Sequence, residues 1–71
     1  MRKLTRQLVV VHTLDGQSLR GLVEGVHSDC VVLSHAAALR DDGQPVPIDG
    51  GAVIPRIHVA WVQHLPEGAT P

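Results

Sequence analysis

Leu8-Val9-Val10-Val11-His12-Thr13-Leu14-Asp15-Gly16-Gln17-Ser18-Leu19-Arg20-Gly21-Leu22-Val23-Glu24-Gly25-Val26 is the stretch that decides the fold. It opens on a run of β-formers, Leu8 to Val11, too short for a helix, and reaches Asp15-Gly16. Asp-Gly between apolar runs is a hairpin signal, because glycine tolerates the positive φ of a tight turn. Beyond the turn, Leu19, Gly21, Val23 and Gly25 share one strand face, and Leu22, Glu24 and Val26 share the other. Two glycines on one face mark a strand that bends sharply or lets another backbone come close. A small barrel turns its corners that way.

Outward from this hairpin the remaining elements follow. Residues 1–7 form a basic arm with room for at most two helical turns, and Leu8 to Leu14 is the first strand. Gln17 to Val26 is the second strand, and His27-Ser28-Asp29 is a polar break. Cys30 to Leu39 reads as a third strand, although its Ala36-Ala37-Ala38-Leu39 tail also suits one turn of helix. Arg40 to Gly51 is a turn region, punctuated by Asp41-Asp42-Gly43, two prolines and Gly50-Gly51. Ala52-Val53-Ile54 is a fourth strand stopped by Pro55, and Ile57 to Leu65 a fifth stopped by Pro66. Residues 66–71 read as a flexible tail. The expected fold is mainly β: a five-stranded, strongly bent antiparallel SH3-like barrel over residues 8–65, in a single domain spanning 1–71, with a short or absent N-terminal helix.

Composition narrows the function. A chain of 71 residues has a marginal core by itself and usually needs disulfides, a metal or oligomerisation. The single cysteine, Cys30, excludes an intrachain disulfide and any CxxC metal knuckle, which leaves oligomerisation. With no Phe, no Tyr and one Trp, the core has to come from Val, Leu, Ile and Ala, a palette that favours sheet. The net charge of −1 is not that of a general duplex-DNA binder. Three of the six basic residues, Arg2, Lys3 and Arg6, nevertheless cluster at the start, as a solubilising arm or as phosphate contacts. No run is long enough to span a bilayer, and no signal peptide is evident, so a cytoplasmic protein with no membrane partner is expected.

The residues also carry a resemblance. Val9-x-Val11-x-x-x-Asp15-Gly16-x-x-Leu19-x-Gly21-x-Val23, followed by Val31-Val32-Leu33, resembles the first motif of the Sm-like family, which includes Sm/LSm proteins and bacterial Hfq. Ile54-Pro55-Arg56-Ile57-His58-Val59-Ala60-Trp61-Val62 is similar to the second motif. The resemblance implies barrels joined edge to edge into a closed homo-oligomeric ring, expected as a hexamer or heptamer. Val53, Val59 and Trp61 are the candidate residues of that seam or of the core beneath it. It also implies binding of single-stranded RNA near the pore, at the loop between strands two and three and the turn between four and five. That makes Arg56, His27, Ser28 and Asp29 the candidate RNA contacts, and the clustered Arg2, Lys3 and Arg6 remain a candidate phosphate-contacting arm on their charge alone. Two departures stand out. No aromatic stacker occurs around His27-Ser28-Asp29-Cys30, and Pro55-Arg56 replaces the Sm Arg-Gly pair. Base stacking of the usual kind contributes roughly 1–3 kcal/mol per base.

Catalysis finds no support in the sequence. The five histidines (His12, His27, His35, His58 and His64) form no HExxH arrangement. His58 and His64 on one extended strand stand roughly 20 Å apart, too far to share an ion. His12 and His58 meet only if tertiary pairing brings them together. A Cys30–His35 pair lacks an orienting partner, and Cys30 reads as a small buried hydrophobe. No enzyme activity, metal or cofactor is expected. Two functions stay open: a ring that binds single-stranded RNA, and an Sm-like or SH3-like barrel that is structural or binds protein.

Overall fold

The computed structural model describes residues 7–65, so the arm residues Arg2, Lys3 and Arg6, any N-terminal helix and the tail 66–71 lie outside the described residues. The elements are β1 (Leu8–Thr13), β2 (Ser18–Val26), β3 (Cys30–Leu39), β4 (Pro45–Pro47), β5 (Gly51–Pro55), a 3-10 turn (Arg56–His58) and β6 (Val59–His64). All pair antiparallel in the order β4-β3-β2-β1-β6, with β5 also on β3. The fold is the expected bent antiparallel sheet, with its fourth strand delivered in two pieces along one long β3.

The deciding hairpin forms as its sequence dictates. Gly16 takes φ 89°, and its N–H donates to the Thr13 carbonyl at 3.1 Å. The Asp15 carboxylate accepts from the Thr13 hydroxyl, which also receives the Gln17 N–H at 3.0 Å. At the bend, Arg20 pairs with Ala37 and Leu22 with Ser34, so β3 holds one residue more than β2 over that span. His35 takes up the surplus with φ 51° and an exposed side chain. Opposite this bulge, a Cβ on Gly21 would stand 3.0 Å from the Ser34 carbonyl oxygen and 3.1 Å from the Leu33 Cβ. Only a residue without a side chain lets the two backbones close up here. A second irregularity between Val23 and Gly25 completes the curl.

The curl brings β1, β3 and β5 around one core of Val9, Val11, Val31, Leu33, Ala36 and Ile54, with Leu19, Val23, Ala52 and Val59 packed against it. Each fully buried Val or Leu stabilises the fold by about 1.5–3 kcal/mol. The alanine tail of β3 is strand: Ala36 and Ala37 are buried, and Ala37 and Ala38 pair with β2 on one side and β4 on the other.

Two expectations change. The 40–51 segment is not all turn: Val46 pairs with Ala38, flanked by Pro45 on Leu39 and Pro47 on Ala37. Prolines two apart place both missing N–H groups on the same side of the strand, where an edge strand needs no donor. The last strand begins at Val59 rather than Ile57, because residues 56–58 close a 3-10 turn in which the Val59 N–H donates to the Arg56 carbonyl.

Candidate nucleic-acid interface

The candidate RNA residues converge on one corner. The His27 N–H donates to the Cys30 carbonyl at 2.8 Å, closing the β2–β3 turn and leaving His27, Ser28 and Asp29 exposed. Across from it, Cys30 pairs with Pro55 at the end of the β3–β5 ladder. Pro55, at φ −59° and ψ 137°, directs the chain out of β5 into the 3-10 turn. The Arg56 N–H then donates to the Asp29 carbonyl at 2.9 Å, tying the two loops together. The Leu14 N–H donates to the His58 carbonyl, also at 2.9 Å, anchoring the far side of the turn to β1.

The corner is small and of mixed charge. Arg56 is exposed, and among the described residues no carboxylate forms an ion pair with its guanidinium. His27 folds back toward β2, with its Nε2 3.2 Å from where a Cβ on Gly25 would be. Cys30 is half-buried rather than buried; its burial, reinforced by the charge of Asp29, pushes its thiol pKa up and keeps it protonated. Behind Arg56 lies an open cavity of about 580 Å³, floored by Val9, Val23, Val31 and Val59 and edged by His64. The arrangement can hold an anion at Arg56 and hydrogen-bond a base edge through Ser28 or Asp29. It offers no Phe, Tyr or Trp surface.

Trp61 is elsewhere. It pairs with His12 of β1, and the two rings stack with centroids 4.0 Å apart and planes 10° from parallel. Ser18 Oγ lies 3.0 Å from His12 Nδ1, and Gln63 Oε1 lies 3.3 Å from His12 Nε2. His12 is therefore joined to Trp61 rather than to His58, a partnership that only the β1–β6 register reveals. Among the described residues no group of three or more His, Cys, Asp or Glu side chains is placed to hold a metal ion.

The assembly candidates divide by burial. Val59 packs against the core, whereas Val53 and Trp61 are 66% and 55% exposed. Val53 lies on β5, which pairs only with β3, and Trp61 on β6, which pairs only with β1. Each strand therefore has one edge without a partner among the described residues.

The crystal structure of a heptameric archaeal Sm protein aligns with this chain at a TM-score of 0.76 and 21% sequence identity, over 84% of this chain and 87% of that one. The fold is that of an Sm protein. No family model and no curated protein sequence matches this Sm-fold chain. No helix among the described residues is long and apolar enough to cross a membrane.

Proposed function

We propose that this Sm-fold chain is a divergent Sm-like protein that closes head to tail into a homo-oligomeric ring, a hexamer or heptamer. In this reading it binds single-stranded RNA in the cytoplasm at the repeated corner of Arg56, His27, Ser28 and Asp29. The observation that carries the reading is a pair of uncharged strands, each with one edge unpartnered among the described residues. Gly51-Ala52-Val53-Ile54-Pro55 and Val59-Ala60-Trp61-Val62-Gln63-His64 contain no Lys, Arg, Asp or Glu. Solitary proteins protect such edges with charges, cover or bulges, because an open apolar edge pairs with whatever strand it meets. Two different edges that pair heterologously and close on themselves leave no edge free and grow no filament. The heptameric state of the archaeal structural neighbour supports the same assembly.

Ring closure would repeat Arg56 around the assembly, and several weak phosphate contacts on one strand bind with avidity. Arg2, Lys3 and Arg6 supply further phosphate contacts in this proposal. Its chemistry is recognition, not catalysis. One observation favours the alternative, a structural or protein-binding ring: the loop tied to Arg56 carries the exposed carboxylate of Asp29, and the corner has no Phe, Tyr or Trp.

Native mass spectrometry with and without a short oligouridine tests both. The expected result is a discrete closed oligomer that gains an RNA adduct, weakened by salt and by Arg56→Ala. A monomer at all concentrations overturns the ring. A ring that ignores RNA at low salt overturns the RNA reading and supports the alternative.

A further inference from the structure

We infer that the stacked His12–Trp61 pair is the docking plate of the subunit seam, and that its occupant is Val53 of the next copy of this chain. The inference rests on the ring reading and goes further, naming the contact and the residue that holds it in place.

Three observations carry it. The first is the direction of the indole. His12 belongs to β1, the strand on one side of β6, and it covers one face of Trp61 nearly parallel at 4.0 Å. A ring stacked face to face on its cross-strand neighbour turns its other face the opposite way. For Trp61 that way is the side of β6 with no partner among the described residues, so the 55% of the residue left exposed includes the face aimed at an incoming strand.

The second is parity. Val9 and Val11 point into the core, so His12 and its partner Trp61 belong to the outer face of the sheet. Ile54 is buried, so its neighbour Val53 is also on the outer face, 66% exposed. When β5 of one copy lies along β6 of another, outer residues of the two strands fall on one continuous face. Val53 is then the branched apolar side chain positioned to meet the indole.

The third is rigidity. His12 Nδ1 hydrogen-bonds the Ser18 hydroxyl at 3.0 Å and His12 Nε2 hydrogen-bonds Gln63 Oε1 at 3.3 Å, so both ring nitrogens are engaged and the imidazole plane is held. His12 is a positioning residue: it presents the indole already oriented, which lowers the entropy lost on association.

Trp61 is the only tryptophan in the chain and reports on its own burial. The test combines native mass spectrometry with Trp emission and acrylamide quenching of the full chain across a dilution series. Assembly is expected to shift the emission to the blue and protect the indole from quencher. Val53→Glu is expected to abolish the oligomer and leave Trp61 quenchable, with an unchanged β circular-dichroism spectrum. His12→Ala is expected to weaken assembly about tenfold, and His12→Phe, which keeps a stacking ring, to restore most of it. A closed oligomer whose indole stays as quenchable as in the dissociated chain overturns the docking plate and leaves the ring standing. So does an oligomer that tolerates Val53→Glu. Wild-type protein that is folded and monomeric throughout overturns both, and the dilution series reads this even where a variant fails to fold.

Discussion

The outer face at β6 and the corner at Arg56 are joined by one 3-10 turn, yet they are built on opposite principles. At β6 an aromatic plate is held by a stacked imidazole with two hydrogen bonds, beside an uncharged strand edge. At the corner, exposed polar groups of both signs are tied together mainly through backbone. Rigid apolar surface beside a free strand edge suits another copy of the same backbone. Exposed charge around a single guanidinium suits an extended anion held by many weak contacts. The difference teaches that, in the proposed ring, assembly rests on the more rigid of the two surfaces and ligand binding draws on it for avidity.

The broadest way to break the comparison is to remove the support shared by both regions. Leu33 is 1% exposed, and its strand pairs with β2 and β5. Leu33→Ala is expected to cost about 2–5 kcal/mol in urea unfolding and to lose ring and corner together. Gly21→Val attacks the bend that curls the sheet. Its side chain meets backbone at 3.0 Å, and overpacking of this kind costs about 1–3 kcal/mol in the same assay.

Separating the two regions takes a milder change. Arg56→Ala is expected to leave oligomer mass and Trp61 emission unaltered, to lower RNA affinity about tenfold, and to flatten the salt dependence of binding, read by fluorescence anisotropy. Asp29→Asn removes the negative charge of the loop tied to Arg56 and is expected to raise RNA affinity a few-fold. A loss of affinity would instead give Asp29 a base-edge contact.

The smallest effect lies in the β1–β2 turn. The Thr13 hydroxyl holds the Asp15 carboxyl below its ordinary value. A lowered folded-state value contributes stability above the unfolded value and loses it as pH falls through the folded one, so this contribution drains away below about pH 4. Thr13→Val is expected to flatten that part of the acid-unfolding profile measured by circular dichroism, with little change at neutral pH.

Much of the fold was legible because its signals are local. Asp15-Gly16 names its own turn, Gly21 names a close approach, and alternating valines name the buried face. The pieces that escaped depend on partners distant in sequence. Pro45-Val46-Pro47 reads as punctuation until β3 supplies an edge on which two missing donors cost nothing. His35 gives no sign that it will absorb a bulge. At the candidate site, Arg56 and His27-Ser28-Asp29 were nominated as separate segments through the resemblance of their motifs. Their hydrogen-bonded junction and the positions of His12 and Trp61 were not, because cross-strand neighbours follow from register.

By itself, then, the sequence determined an aromatic-poor β chain that turns at Asp15-Gly16, bends at Gly21 and has one cysteine with no partner. These follow from the backbone preferences of single residues and from side-chain alternation. Only the tertiary structure decided which edges stay open, that Trp61 rests on His12 rather than near Arg56, and that the two loops meet at Asp29. Those outcomes depend on strand register and curl, which are set by closing one core over the whole chain and which no short stretch contains.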